Sequence, residues 1–371
     1  MIFVWLIIFY YSITSIVASF EYTQFSIHAK ETYALNMCLC IVAFILSDFI
    51  FNKKERNQIV ITDIIDNSRI VLTIVEVVFW ISLALTYVEL RTQDYSTYVS
   101  SEGQAGWAQC FFQSTCCIIV YFLYKRQWLK IGVSLLMDVG MIAATGVRSL
   151  LYFVALPIML YFLNIFLFER KNFLKSAVRI VAVAILVVVA VYVVDFLRYG
   201  EIRLPEIELT RISYDVLDGN GYPNQYFNSL LQYLAGFLNP IIGALNKLGA
   251  NLPSLSLILP PSIPHLNDFY TSQYNAGEAH MPATIFHDFY MSFGYYGAIW
   301  GFFVFSYLKI LCDWFQKNGA LFFAFSSLFG WHIYMFLRGA IDGASSGISY
   351  SILISFIIYL FLKLRLKKVR L

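Results

Sequence analysis

This sequence is short of charge for its length. Only 13% of the 371 residues are Asp, Glu, Lys or Arg, about half the share of an ordinary soluble domain. That excludes a water-facing surface over most of the chain. Cysteine is also sparse, and its spacing excludes more than its number does. Cys38 and Cys40 form C-x-C, and Cys116 and Cys117 are adjacent. Neither pair has the C-x-x-C spacing of zinc or redox sites. All six cysteines lie in or beside apolar runs, where they read as small buried residues. The chain has no P-loop, no dinucleotide fingerprint, no H-E-x-x-H and no G-x-S-x-G. No internal repeat is visible, which argues against a transporter built of two inverted repeats. The first 20 residues lack the basic start and small-residue cleavage site of a removable leader, so they read as a first span.

What the sequence does have is apolar length. Hydrophobic residues make up 59% of the chain, and mean hydropathy is +0.68. A hydrocarbon core of about 30 Å takes about 20 apolar residues per helical crossing. The expected fold is therefore an all-α polytopic membrane protein with about ten transmembrane helices. The apolar runs lie near 1–20, 33–51, 70–89, 107–124, 131–147, 149–168, 180–197, 290–312, 320–337 and 346–362. One large loop separates the seventh from the eighth. Three regions follow: an N-terminal bundle over 1–197, a polar lobe over 198–289, and C-terminal helices with a basic tail over 290–371.

The connections alternate in basic content. One side takes 18 of the 26 Lys and Arg residues, from Lys53 and Arg56 through Arg170 and Lys171 to the tail KLRLKKVRL. The positive-inside rule makes that side cytoplasmic. Both termini are then inside, and the lobe from Arg198 to Asp288 is outside, in the periplasm of a bacterium. The stretch 226–246 is apolar, but an eleventh crossing would carry the basic tail outward. It reads instead as an interfacial or re-entrant helix, broken at Asn239-Pro240. The tail suits anionic membrane lipids better than nucleic acid.

Five arginines run against the charge rule by facing outward: Arg148 in TGVRSLL, Arg198 and Arg203 in DFLRYGEIR, Arg211 in the lobe, and Arg338 in FLRGAIDG. Guanidinium grips phosphate with two parallel donors, so these residues are candidates for an anion site. The competing role is snorkelling and pairing with Asp195, Glu201 or Asp342. The segment HMPATIFHDFY, residues 280–290, sets His280 and His287 two turns apart at the mouth of the eighth span. One of them is a candidate general base, with Asp288 or Glu278 close enough to tune it. Zinc would need further ligands that this spacing does not supply. Glu76 and Asp138 fall inside apolar runs, where they read as interhelical polar contacts or as a proton or ion site. The lobe itself is acidic, with four basic residues against eight acidic ones, so an anion site belongs at its seams. Tyr214, Tyr222, Tyr226, Tyr270 and Tyr274 in the lobe suit either stacking on sugar rings or ordinary packing.

This pattern resembles the Wzy-type O-antigen and capsular polysaccharide polymerases. The resemblance rests on about ten spans, a dominant outer loop in the second half, T-G-x-R at Thr145–Arg148, and FHDFYMSFGYYGAIWG at 286–301 with Phe-Gly-x-x-Gly at Phe293, Gly294 and Gly297. The family's arginine–glycine repeat is not clearly present after Arg203 or Arg211. The resemblance implies a metal-independent glycosyltransferase without a cofactor, in the bacterial inner membrane. Such an enzyme joins oligosaccharide repeat units carried on undecaprenyl pyrophosphate and releases the lipid pyrophosphate. A chain-length regulator is an implied partner. Arg148, and after it Arg198, Arg203, Arg211 and Arg338, would hold the pyrophosphate. The O-antigen ligase shares this plan, and a flippase-type transporter of lipid-linked oligosaccharide is a competitor from a different class.

Overall fold

The computed structural model describes residues 2–51, 68–91, 106–145, 149–168, 205–218, 249–252, 294–337 and 349–369, with parts of 174–196, 238–246 and 286–290. All regular structure among these residues is helical, and no strand occurs. The helices are α1 (Ile2–Glu21), α2 (Ile27–Ile50), α3 (Arg69–Arg91), α4 (Trp107–Thr115), α5 (Ile118–Tyr124), α6 (Trp128–Thr145) and α7 (Ser149–Phe168). They continue with α8 (Pro205–Asp218), α9 (Gly297–Lys317), α10 (Gly319–Leu337) and α11 (Ser349–Val369).

The distribution of apolar side chains identifies the solvent. On α3 the buried stripe is Leu72, Val75, Phe79, Leu83, Thr86 and Leu90. The opposite, exposed stripe is Ile70, Ile74, Val77, Ile81, Leu85 and Val88. A helix that is apolar on both faces belongs in a membrane or a large core, and here the outward face is the more hydrophobic one. On α2, Leu35, Val42, Ile45, Leu46 and Phe49 point outward, while Thr32, Asn36 and Ser47 are buried. Leu174, Val178, Val181, Ile185, Val189, Val193 and Phe196 recur every three or four positions, and each is at least half exposed. Such faces suit lipid and not water.

Four helical stretches are long and apolar enough to cross a membrane: Ile27–Ile50, Arg69–Arg91, Trp107–Tyr124 and Gly294–Phe315. Phe153–Leu163, Gly319–Trp331 and Ser351–Leu364 are shorter apolar stretches. Two spans expected from hydropathy to be continuous are interrupted. The run 107–124 divides into α4 and α5 at Cys116–Cys117. There the ladder changes step: Cys116 N still reaches Phe112 O at 3.0 Å, but Ile119 N and Val120 N bond the carbonyls three residues back, Cys116 and Cys117, both at 3.1 Å. In the run expected from 290, Tyr290 is helical, and a 3₁₀ turn at Gly294–Tyr296 precedes the α-helix that starts at Gly297.

The chain forms two compact units. The first comprises Met1–Arg56, Arg203–Asp313 and Ile333–Ser346. Within it α1 and α2 form a hairpin, and α8 packs on both. The Ser26 hydroxyl caps α2 by accepting from Ala29 N at 3.1 Å, satisfying one of the free amides of the first turn. Further along α2, Ser47 shares a 3.1 Å hydrogen bond with Ser306 of α9. The Phe44 and Phe305 rings meet edge-on at 4.9 Å beside it. Lys309 of α9 is buried and pairs with Asp48 at 3.1 Å and Asp313 at 3.8 Å.

The second unit comprises Asn57–Ile202, Trp314–His332 and Gly347–Leu371. The stretch α4–α5 lies at its centre, with 72% of its residues buried against 39% for α3. Helix α3 packs on α4, α6 and α11, and α7 packs on α5 and α6. Polar groups fasten these contacts where lipid offers no partner. Ser351 donates to Gln113 Oε1 at 2.7 Å, Ser114 to Ser351 O at 2.8 Å, and Ser327 to Phe153 O at 3.0 Å. Gly330 lets α10 approach α7 closely, since a Cβ there would lie 2.8 Å from Leu156 Cβ.

Candidate functional site

The polar lobe meets the membrane helices of the first unit through α8. Its sequence, PEIELTRISYDVLD, starts on a proline, whose missing amide costs nothing in a first turn. Ile207, Thr210, Ser213 and Tyr214 make one fully buried stripe. Ser15 of α1 bridges this interface: its hydroxyl pairs with Tyr33 at 2.9 Å and with Thr210 at 3.5 Å. The Tyr214 ring stands edge-on to Tyr33 at 5.4 Å and tilted to Phe25 at 5.7 Å. Burial pushes its phenol well above the ordinary tyrosine range.

The far end of α8 is clipped to the start of α2. Asp218 accepts from Ser26 N at 2.9 Å and from the Ser26 hydroxyl. A carboxylate at the C-terminus of its own helix is unfavourable, but at the N-terminus of α2 it meets a positive dipole end. The Ser26 donors hold the Asp218 carboxyl below the usual carboxylate range.

The chain returns from the lobe onto the same helix. Asn36, buried on α2, donates its side-chain amide to the Phe286 carbonyl. Phe286, Phe289 and Tyr290 are buried. Gly294 has φ +58°, a left-handed conformation that glycine adopts without strain. Gly297 sits against the Phe289 carbonyl with no room for a Cβ, and a Cβ at Gly301 would lie 3.0 Å from the Phe289 ring. The glycines of FGYYG and the next one along thus have a physical role. Gly297 and Gly301 let α9 start directly against Phe289.

Of the candidate arginines and histidines, Arg211 is the one among the described residues. It is half-buried on α8, beside the Thr210–Tyr214 stripe, and it is engaged with the protein around it. Arg148, Arg198, Arg203, Arg338, His280, His287 and Asp288 lie outside the described residues, as do Tyr222, Tyr226, Tyr270 and Tyr274. Tyr214, a candidate for sugar stacking, is a packing residue, because its ring is enclosed by Phe25 and Tyr33. The two intramembrane acids part company. Glu76 of α3 is paired with Lys130 of α6, an interhelical contact. Asp138 is fully buried, and neither carboxyl oxygen has a hydrogen-bond partner among the described residues. Sequence reasoning passed over Asn36 and the Ser26–Asp218 clip. Only charged residues in apolar runs drew notice, and an amide in a span is the same kind of signal.

No protein-family model, curated protein or solved structure matches the chain.

Proposed function

We propose that this chain is a surface-polysaccharide polymerase. It would join oligosaccharide repeat units carried on undecaprenyl pyrophosphate, at the periplasmic face of a bacterial inner membrane. This reading includes about ten spans, both termini in the cytoplasm and the 198–289 lobe outside. The observation that carries it is the double attachment of that lobe to one membrane hairpin. Its α8 helix, bearing Arg211, is clipped at Asp218–Ser26, and its return is held at Phe286–Asn36. A substrate with a polyprenyl tail and a sugar head needs a polar cover seated directly on lipid-facing helices, and α2 presents such a face.

The chemistry follows from the substrate. A sugar hydroxyl of one repeat unit attacks the anomeric carbon of another. The new glycosidic C–O bond forms as the bond to the pyrophosphate oxygen breaks. His287 or His280, tuned by Asp288, takes the hydroxyl proton. Arg148, with Arg198, Arg203, Arg211 and Arg338, meets the negative charge that grows on the leaving pyrophosphate. The lobe interior, acidic overall, serves as a track for neutral sugar. The partners are the lipid-linked oligosaccharide, membrane lipid and a chain-length regulator.

Deletion of the gene tests this. A polymerase leaves a single repeat unit on the acceptor. Full-length polymer stranded on the lipid carrier assigns the chain as the ligase instead. An unchanged polysaccharide ladder refutes both.

A further inference from the structure

We propose that Asp138 is a proton-binding site in the interior of the second unit. The proposed polymerisation chemistry does not use this site. Helix α6 places Asp138 on its buried stripe, with Ser134 one turn before it and Met141 and Ile142 one turn after, all essentially inaccessible. Neither carboxyl oxygen is hydrogen-bonded, and no cation pairs with it, among the described residues. A lone carboxylate in such a place is too costly to persist, so it must hold a positive charge of its own.

The surroundings select the proton over a metal ion. Alkali and alkaline-earth ions take about six or more oxygen ligands. Among the described residues no group of three His, Cys, Asp or Glu gathers anywhere. The Ser134 hydroxyl, one turn before it, is committed as a donor to Lys130 O at 2.8 Å, and Thr115, next to Cys116 in sequence, donates to Phe111 O at 2.6 Å. A proton requires one oxygen only. Binding it converts the carboxylate to a carboxylic acid and breaks no bond.

The acid then needs an acceptor for its O–H, and the break in the central helix supplies that chemistry. Helix α4 ends at Thr115 inside the bundle, where the ladder shifts to three-residue steps. Carbonyl oxygens of a helix's last turn fall outside its regular ladder. Irregular backbone at membrane depth occurs where protein or a cavity encloses it. Cys116, at this break, is within electrostatic reach of Asp138.

Among the described residues, few other ionisable groups lie near Asp138. Cys117 adjoins Cys116 and is buried. From α3, Tyr87 lies against Gly140, 3.1 Å from where a Cβ would be. Glu89 is turned toward Gly106, and Glu76 is tied to Lys130, two turns back along α6. Helix α7 carries no charged residue. Among the described residues no charged group therefore faces Asp138, and an ionisable group at such depth is a functional site by default.

The test is infrared spectroscopy of the full chain in lipid nanodiscs at neutral pH, wild type minus Asp138→Asn. The amide is isosteric with the neutral acid, so the variant is expected to fold. The expected result is a carbonyl stretch of an isolated carboxylic acid in the wild type. It shifts in deuterated water and is missing from the variant. Asp138→Glu, which keeps the acid, should retain a displaced band and carries the same reading where the amide variant fails to fold. Loss of carboxylate bands in place of an acid band overturns the proposal. So does a carboxylate band that moves on adding sodium or potassium chloride, which would make Asp138 an alkali-cation ligand.

Discussion

The glycines of the first and second units make opposite predictions for the same substitution. Gly297 opens α9, and a Cβ built there would lie 2.6 Å from the Phe289 carbonyl carbon, nearer still to its oxygen. Both obstructing atoms are backbone of a buried residue, so neither gives way as a flexible side-chain end would. Gly132, in the exposed part of α6, has nothing within 4 Å of the same position. Overpacking a well-filled site costs about 1–3 kcal/mol, whereas replacing an open helical glycine by alanine stabilises by about 0.5–1 kcal/mol. At roughly 2–4 °C per kcal/mol, Gly297→Ala should melt about 2–12 °C below the wild type, and Gly132→Ala about 1–4 °C above it. Size-exclusion chromatography of heated, detergent-solubilised protein reads both. Equal melting of Gly297→Ala and wild type would refute the close approach of α9 to the Phe289 backbone. A matching fall in Gly132→Ala would refute the steric explanation itself.

Other perturbations address the chemistry and the clip. Arg148→Ala should abolish polymerisation with the protein still in the membrane, and Arg148→Lys should restore only part, because an ammonium cannot make the two-pronged phosphate contact. A normal polysaccharide ladder from either variant removes Arg148 from the site. The His280→Ala/His287→Ala double variant should lose in vitro chain extension, and retained extension eliminates both as the base. The Asp218 carboxyl is lowered in the folded state by the Ser26 donors. Its contribution is therefore present above the ordinary carboxylate pKa of about 4 and fades as pH falls through the lower folded value. The exposure of this carboxyl keeps the effect modest. Spin labels on the last turn of α8 and the first turn of α2 should report one distance at neutral pH that broadens modestly in acid, and a similar modest broadening at every pH in Asp218→Asn. An identical, pH-independent distance in both proteins would dispose of the clip.

Hydropathy made the existence of the helices legible, and for α7 it gave the boundaries 149–168 themselves. It was blind to the interruptions at Cys116–Cys117 and at Gly294–Tyr296. A window average registers apolar content, and both breaks are made of apolar residues and glycine. Helix α8 hid inside a segment read only for its polarity, although Pro205 and the period of Ile207, Thr210 and Tyr214 mark it. The candidate site was legible only as residue types, and of its arginines and histidines Arg211 is the one among the described residues. Its stitches were not, because a serine, an asparagine and a backbone carbonyl have no periodicity and stand out only once folding brings distant segments together.

Those stitches have a consequence for chain length. Asp218 and Phe286 are 68 positions apart in sequence, yet both are fixed to α2, at Ser26 and Asn36. Ten residues of helix separate these anchors by only about 15 Å. The entropy of closing a loop across such a gap grows with the logarithm of its length, about 0.6 kcal/mol for each doubling. The membrane hairpin is therefore nearly indifferent to how much chain is suspended between its two pins. A connecting segment of different length can join the same anchors, while the helices that carry them keep their packing.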